Sequence, residues 1–229
     1  MAAAGGLLVY LFPVPDSGYS PPPPPTLDFL AAGDTADNNS LKTLTWSHTT
    51  TAGAWVFLWL AHFAQTGGPN TVTYDGNDIT GNLLASTAYT DSTYLKLYGF
   101  QDVTGGTKTF AITQGGGNTM RYAVANSVSY TGIASVGTPA TATGTLTETI
   151  NCVSNQYILQ SFARYSGTAT GTMNAAFSGG AAGINIFDNV VRATGGRGGI
   201  LINFADASTT FSLSDSLVAH SIGVVLTRT

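Results

Sequence analysis

The sequence predicts an all-β protein, a single antiparallel β-sandwich of jelly-roll type. Short segments rich in Val, Ile, Thr, Tyr and Phe recur along the 229 residues, and clusters of Gly, Asn and Asp separate them. This is the pattern of strands joined by turns. Long stretches with the 3.6-residue apolar period of a helix do not occur in the sequence. About a dozen strands at regular spacing fit a sandwich or barrel.

The first strands follow from local patterns. The segment "LKTLTWSHT" (41–49) alternates apolar and polar residues, and the run "AWVFLWLAHFA" (54–64) fits a strand buried on both faces. Asp75-Gly76 predicts a type I′ hairpin, because both central residues of that turn need positive φ. Further predicted strands are "STYLKLYGF", "GTKTFAIT", "MRYAVANSVSYTG", "TLTETI", "YILQSFARYSG", "GTMNAAFSG", "INIFDNVVRA", "GILINFADA", "TTFSLS" and "LVAHSIGVVLTR".

The composition narrows the class of protein. Charged residues make up 9% of the chain, against about a quarter in ordinary globular proteins. The polar surface therefore comes mostly from Thr, Ser, Asn and Gln, which suits a subunit packed against other subunits; a secreted β-protein with a neutral surface is the alternative. The net charge of −4 without a basic cluster argues against nucleic-acid binding. No apolar run approaches the ~18 residues of a membrane span, so we expect no membrane insertion.

The sequence carries no motif for catalysis, and we expect a protein that is not an enzyme and needs no cofactor. Cys152 is the only cysteine, so an internal disulfide and a cysteine-based zinc site are excluded. His48 and His62 are expected to face each other across a hairpin that turns at Ala52-Gly53. No Asp, Glu or Cys lies near them in sequence to complete a ligand set, so a structural role is favoured over a metal site.

Two other kinds of site stay open. Calcium could be held by the oxygens of two acidic clusters, although the same residue types make plain turns. The first cluster is Asp34, Asp37, Asn38 and Asn39, and the second is Asp75, Asn77 and Asp78. A glycan-stacking face is the other alternative, although alternation predicts that about half of its members point inward. Its candidates are Tyr89, Tyr94, Tyr98, Tyr122, Tyr157 and Tyr165.

The body of the chain resembles a β-sandwich module that recurs in bacterial surface proteins and in tail proteins of phages infecting actinobacteria. The resemblance rests on "WSHTTTAGAWVFLWLAHF", "TVTYDGNDITGN", "YLKLYGFQDVTGGTKTFAIT", "VANSVSYTGIASVGTP" and "DSLVAHSIGVVLTR". It covers most of Trp46 to Thr229, and the stretch from Gly167 to Gly199 departs from it. The resemblance implies a sandwich fold and a virion or cell-surface setting, and it implies no chemistry.

Together with an additional N-terminal arm, this resemblance favours a phage minor tail protein. The expected location is the virion, the expected partners are other virion proteins, and a homo-oligomer is expected. A capsid decoration protein is an alternative within the same class. An adhesin module that binds glycans of the host surface is the alternative from another class.

The N-terminal arm is predicted to dock on a partner. Six consecutive large apolar residues form its docking segment: Leu7, Leu8, Val9, Tyr10, Leu11 and Phe12. Burying each is worth ~1.5–3 kcal/mol, but ordering the backbone costs about 1–2 kcal/mol per residue. The arm should therefore order only against another surface, as a strand added to a partner's sheet edge. No Lys or Arg precedes it, the first basic residue being Lys42, so a secretory signal is not expected.

The proline block Pro21–Pro25 is predicted to hold this arm away from the body. Five prolines in a row adopt polyproline II and span about 15 Å as a semi-rigid spacer. An SH3-type ligand is disfavoured because no Arg or Lys flanks the prolines, and a plain linker is the remaining alternative. The predicted organisation is an extended docking arm and spacer over residues 1–25, followed by a β-sandwich domain over residues 26–229.

Overall fold

The described part of the protein is almost entirely β-structure, as predicted. The computed structural model describes residues 26–36, 43–64, 70–88, 93–115, 120–145, 147–164, 175–178, 184–190, 199–213 and 219–229. Its strands form four antiparallel sheets that pack together, so the predicted fold class, an all-β antiparallel sandwich, is confirmed; the sheets pair as two sandwiches. The predicted docking arm and polyproline spacer, residues 1–25, lie outside the described residues.

The first half of the described chain forms one sandwich. Its inner sheet has the strand order β1-β9-β3-β7-β6 and its outer sheet the order β2-β8-β4-β5, and one 3₁₀ turn spans Thr80–Asn82. The strands are β1 (Thr26–Ala36), β2 (Thr43–Thr50), β3 (Ala54–Ala64), β4 (Asn70–Tyr74), β5 (Asn77–Asp78), β6 (Leu83–Ala88), β7 (Thr93–Asp102), β8 (Gly106–Gln114) and β9 (Met120–Thr131).

The second half forms another sandwich. Its inner sheet has the order β10-β18-β13-β16-β15, with β11 also paired to β18, and its outer sheet has the order β12-β17-β14. The strands are β10 (Ile133–Val136), β11 (Ala140–Thr145), β12 (Thr147–Ile150), β13 (Gln156–Arg164), β14 (Ala175–Ser178), β15 (Ile184–Val190), β16 (Gly199–Ala205), β17 (Thr209–Leu213) and β18 (Ala219–Arg228).

The two sandwiches repeat one topology. β10 and β11 together correspond to β1. The remaining strands of the second inner sheet, in the order β18-β13-β16-β15, correspond to β9-β3-β7-β6 of the first, and the outer sheet β12-β17-β14 corresponds to β2-β8-β4. The pairing registers match as well: Phe57 pairs with Val128 in the first sandwich, and Leu159 pairs with Val224 in the second. Equivalent positions in the two halves can therefore be compared residue by residue.

The sandwiches pack through their inner sheets, which gives four layers of strands. A core of aromatic and aliphatic side chains, including Phe57, Trp59, Leu159 and Val224, fills the space between the two inner sheets. Separate cores lie between each inner sheet and its own outer sheet. β3 thus has a core on each face, and its residues from Val56 to Leu60 have no solvent exposure. The predicted burial of this strand on both faces is confirmed.

The contacts between the sandwiches show their relative orientation. β6 contacts β11 and β18, while β9 contacts β15. The strand order across one inner sheet is therefore reversed relative to the other, as in a pseudo-twofold arrangement with its axis along the strands. In such an arrangement equivalent ends of the two sandwiches lie at the same end of the molecule.

That shared end, which we call the tip, contains both termini of the described body. Thr26 pairs with Thr131 at the end of β9, and the Thr229 N–H donates to the Gly132 carbonyl at 3.1 Å. The tip also includes the turns at residues 51–53, 103–105, 151–155 and 206–208. The Gly53 N–H donates to the Asp102 carbonyl at 2.6 Å, and the Arg228 N–H donates to the Asn155 carbonyl at 3.2 Å.

Two predicted turns can be compared with the structure. Asp75 and Gly76 have φ of 53° and 77° and join β4 to β5 as a two-residue loop, so the type I′ hairpin is confirmed. The hairpin predicted between His48 and His62 is wrong. The turn at 51–53 carries the chain from the outer sheet to the inner sheet, so β2 pairs with β8 and β3 pairs with β7 and β9.

Candidate functional site

The first cluster of polar side chains is centred on Asp102, at the tip of the first sandwich. Asp102 is 4% exposed. It accepts hydrogen bonds from the Thr50 hydroxyl at 2.5 Å, the Tyr74 hydroxyl at 2.9 Å and the Lys108 ammonium at 2.6 Å. Thr50 and Tyr74 belong to the outer sheet and Asp102 to the inner sheet, so this carboxylate ties the two sheets together.

The same carboxylate also fixes the turn that follows it. Asp102 Oδ1 accepts from the backbone N–H groups of Thr104 and Gly105, both at 3.1 Å. Burial by itself would raise the pKa of Asp102. The hydrogen bonds from Lys108, Thr50 and Tyr74 outweigh it and lower the pKa well below its usual value. Asp102 is therefore a structural anchor that is ionised at neutral pH, with hydrogen bonds to both of its oxygens.

The second cluster lies between the sheets of the first sandwich. The Trp46 indole N–H donates to Ser127 Oγ at 2.9 Å, and Ser127 Oγ lies 2.8 Å from His48 Nδ1. Burial lowers the pKa of His48 to about 4, although the negative charges of Asp28 and Asp102 oppose this. The imidazole is therefore neutral at pH 7.

This arrangement has the residue types of a Ser-His-Asp site but not its access. Ser127 and His48 have no solvent exposure. The Asp28 carboxylate accepts from the Thr51 N–H and hydroxyl at 2.8 and 2.7 Å and from the Ser129 hydroxyl at 3.0 Å. A nucleophile must reach its substrate, and this hydroxyl lies in the core. The cluster connects β2 to β9 and acts as an inter-sheet tie.

The second sandwich carries different side chains at the positions equivalent to this cluster. Glu148 is equivalent to Trp46, since Trp46 pairs with Phe110 on β8 and Glu148 with Phe211 on β17. Glu148 is 8% exposed, and its Oε2 accepts from the Gln160 amide at 3.2 Å. Burial raises the pKa of Glu148, and hydrogen bonds from Gln160 and Ser221 partly offset the increase.

A glycine makes room for this second arrangement. Gly223 is the counterpart of Ser127, and a Cβ at Gly223 would collide with Cδ1 of Ile150, the counterpart of His48. The polar triad of the first sandwich is thus replaced by an isoleucine packed on a glycine. These positions are used to hold sheets together in both halves, with unrelated side chains.

A cleft of about 350 Å³ opens at the tip of the second sandwich. Its lining residues are Cys152, Val153, Ser154, Asp206, Ala207 and Ser208. The Cys152 N–H donates to Ser208 Oγ at 2.9 Å, and the Ser208 hydroxyl donates to the Cys152 carbonyl at 3.0 Å. This reciprocal pair joins the two turns that line the cleft. Burial raises the pKa of the Cys152 thiol, and Asp206 raises it further, so the sulfur is protonated and a poor nucleophile.

The cleft has a physical origin in loop length. In the first sandwich residues 101–107 separate Phe100 from Lys108, whereas in the second only residues 206–208 separate Ala205 from Thr209 at the corresponding register positions. The longer segment carries Asp102 and fills the tip of the first sandwich. The shorter one leaves a gap beside the turn at residues 151–155.

The predicted calcium clusters have different outcomes. Residues 37–39 of the first cluster lie outside the described residues. In the second, the Asn77 side-chain amide donates to the Asp75 carbonyl at 3.3 Å and Asp78 Oδ1 accepts from the Thr80 N–H at 2.8 Å, which are turn contacts. Across the described parts of the chain, no three His, Cys, Asp or Glu side chains are grouped closely enough to hold a metal.

Of the predicted aromatic face, Tyr89 and Tyr165 and the side chain of Tyr122 lie outside the described part of the structure, and the other three members differ in their surroundings. Tyr98 and Tyr157 are 2% and 8% exposed and belong to two different cores. Tyr94 is half-buried and stacks on His62 with ring centroids 5.3 Å apart. The predicted docking segment, Leu7 to Phe12, lies outside the described residues.

Comparisons of the chain with protein families, with curated proteins and with solved structures returned no match. Within the described residues, no helix has the length and apolar character needed to cross a membrane.

Proposed function

We propose that the chain is a non-enzymatic structural subunit of a virus particle, specifically a minor tail protein of a phage with an actinobacterial host. In this proposal the two sandwiches form a rigid body, and the segment Leu7–Phe12 attaches that body to neighbouring subunits. The low charge of the chain and the resemblance of its strand segments to tail-protein modules support this setting.

The observation that carries the proposal is the character of the tip. Among the described residues, the two most exposed large apolar side chains are Val103 at 74% and Val153 at 63%, and both lie in tip turns. Leu27, at 44%, is the second residue of the described body and lies at the same end of the molecule. The arm thus joins the body at an end that already displays apolar side chains, which suits a surface turned toward other subunits.

The polar clusters support the same interpretation. The Asp102 and Trp46–Ser127–His48 clusters lie in the first sandwich and are occupied with hydrogen bonds between sheets. These hydrogen bonds stiffen the first sandwich of a chain in which only 9% of the residues are charged. A subunit that bears load between neighbours benefits from ties of this kind, because each connects two layers.

The experiment changes the docking segment in the full chain. Leu8→Asp with Leu11→Asp should abolish incorporation of the chain into purified particles, measured by mass spectrometry, while circular dichroism stays unchanged. Ala2→Asp with Ala3→Asp adds the same charge to the same arm outside the six apolar residues, and should incorporate normally. Normal incorporation of the Leu8/Leu11 variant would refute the docking role.

Location within the particle is a separate readout. Labelled antibodies against the body, viewed by electron microscopy, should mark the tail. Labelling spread over the capsid would assign a decoration protein instead. Absence of the chain from particles of the phage that encodes it would refute the virion assignment altogether.

A further inference from the structure

We propose that the cleft at the tip of the second sandwich receives a lysine side chain of a different protein of the particle, with the ammonium group beside the Asp206 carboxylate. This rests on the proposed function, since it names the chemistry by which the tip contacts a neighbouring subunit. The inference comes from the cleft itself and from the corresponding place in the first sandwich.

The first sandwich shows how this place is filled from within the chain. The Lys108 ammonium lies 2.6 Å from Asp102 Oδ1 and donates to the Thr104 hydroxyl at 2.5 Å. It also lies 5.2 Å from the centre of the Tyr74 ring, which is a favourable position for a cation. A carboxylate and a lysine ammonium thus close the tip of that sandwich together.

The second sandwich has a carboxylate at its tip but lacks the cation. Register places Thr209 at the position of Lys108, because Phe110 and Phe211 are equivalent on β8 and β17. Asp206 lies in the short turn that corresponds to the longer segment of the first sandwich. Among the described residues the one ion pair is that of Lys108, so no described cation pairs with Asp206. The described residues therefore leave a negative charge at the cleft without a partner.

The cleft lies between two turns that are fixed to each other. Cys152 and Ser208 exchange two hydrogen bonds between these turns, at 2.9 and 3.0 Å. The negative charge of Asp206 raises the pKa of the Cys152 thiol, so the carboxylate lies within electrostatic reach of the facing turn. A gap whose walls are already held in place can bind without the cost of ordering a loop.

The size and the lining of the cleft suit a single lysine side chain. Its volume of about 350 Å³ is near the lower limit of the roughly 300–1,000 Å³ of small-molecule sites. Val153, which is 63% exposed, and Ala207 provide apolar surface for the aliphatic stem of the lysine, while its ammonium reaches Asp206. Docking would therefore bury apolar surface as well as pair two charges.

The lysines of the chain itself favour a different protein as the donor. The sequence has three lysines. Lys42 lies outside the described residues, Lys96 is half-buried, and Lys108 is already paired with Asp102. Neither described lysine is thus available to the cleft of a second copy, whereas an exposed lysine on a neighbouring protein is.

Carbodiimide cross-linking of purified particles tests the contact directly. The carbodiimide activates a carboxylate, and an amine in contact with it then forms an amide as a urea is released. Mass spectrometry should find a peptide containing Asp206 joined to a lysine of another virion protein. Asp78, an exposed carboxylate on the first sandwich, is the matched control and should give at least tenfold less product. A cross-link to Lys42 of a second copy instead would overturn the assignment to a different protein.

The isolated full chain gives an independent readout with a soluble probe. Nα-acetyl-lysine amide should shift the NMR signals of residues 152–154 and 206–208 in a saturable way, and added salt should weaken its binding. Nα-acetyl-norleucine amide has an aliphatic side chain without the ammonium and should bind at least tenfold more weakly. Equal binding of these two probes, or tighter binding of Nα-acetyl-arginine amide, would overturn the lysine assignment.

Substitutions in the cleft test the role of the carboxylate. Asp206→Asn keeps the shape of the side chain and should weaken binding of the lysine probe at least tenfold, whereas Asp78→Asn should not change it. Ser154→Lys adds an ammonium at an exposed position on the facing turn and should block the probe. Circular dichroism of each variant checks that the fold is retained. Unchanged binding by Asp206→Asn would refute the proposal.

Failure of this inference is distinguishable from failure of the proposed function. If the chain is present in particles, but Asp206 gives no cross-link and the isolated chain does not bind the lysine probe, the cleft proposal is wrong and the virion assignment stands. If the chain is absent from particles but binds the probe through Asp206, the virion assignment and the identity of the donor are wrong, while the site for a lysine ammonium stands.

Discussion

The Asp102 cluster offers the sharpest test of how the first sandwich is held together. Asp102→Ala removes the acceptor for the Thr50 and Tyr74 hydroxyls and for the Lys108 ammonium, all of which remain in place. The Lys108 side chain is 14% exposed, so water can only partly replace the carboxylate. Removing one partner of a buried ion pair typically costs 3–5 kcal/mol. We expect a loss of about 3 kcal/mol in the free energy of unfolding, at the lower end because of that exposure.

The effect should depend on pH in a defined direction. The pKa of Asp102 is lower in the folded protein than in the unfolded chain, where it is about 3.9. Its stabilising contribution is therefore complete above about pH 5 and decreases as the pH falls below 4 toward the folded pKa. The difference between the wild-type protein and Asp102→Ala should be constant from pH 5 to 7 and shrink below pH 4.

Urea unfolding followed by fluorescence at each pH measures this difference. At neutral pH a melting experiment should show a decrease of about 6–12 °C, from the usual 2–4 °C per kcal/mol for a chain of this size. Asp206→Ala removes an exposed carboxylate at the tip of the second sandwich and should stay within about 0.5 kcal/mol. A loss below about 1 kcal/mol for Asp102→Ala would refute the view that this carboxylate anchors the tip.

Three further predictions concern the buried positions. The pKa of His48 is about 4 in the folded protein and about 6.5 in the unfolded chain. The free energy of unfolding should therefore fall as the pH drops from 6.5 to 4. His48→Asn should flatten this pH dependence, measured by urea unfolding at each pH. Gly223→Ala should lower the free energy of unfolding by about 1–3 kcal/mol, because the new Cβ collides with Ile150. In a double-mutant cycle, Ile150→Val should recover part of this loss. Gly81→Ala is the control and should be near neutral, because its Cβ meets open space. Burial raises the pKa of Glu148, so Glu148→Gln should raise the urea midpoint at pH 7, and this gain should shrink as the pH falls through the raised pKa; an equal gain at pH 4 would contradict the assignment.

The parts of the fold that the sequence predicted are those set by local physics. β3 is apolar at every position from Val56 to Leu60 because both of its faces meet a core. The turn at Asp75-Gly76 needs two residues with positive φ, and few residue pairs tolerate that. In each case the requirement and the residues that meet it lie within a few positions of each other.

The division into two sandwiches has no such local signature. A strand followed by a short turn and another strand reads the same whether the turn makes a hairpin or carries the chain between sheets. The turn at 51–53 does the latter, which separates His48 from His62. Likewise Trp46 and Ser127 lie 81 positions apart in sequence, and their hydrogen bond depends on the pairing of β9 with β3 rather than on any motif.

A comparison of the two halves separates the features that both sandwiches share from those that differ between them. Strand order and register are repeated, so they meet demands common to both sandwiches. At the tip the two halves diverge: one closes it with Asp102 and Lys108, and the other leaves a cleft beside Cys152 and Asp206. Stability does not require the two tips to differ, because the arrangement closed by Asp102 and Lys108 already stabilises the tip. The divergence falls at the end where the arm begins and where Val103 and Val153 are exposed, which is the end that our proposal turns toward neighbouring subunits.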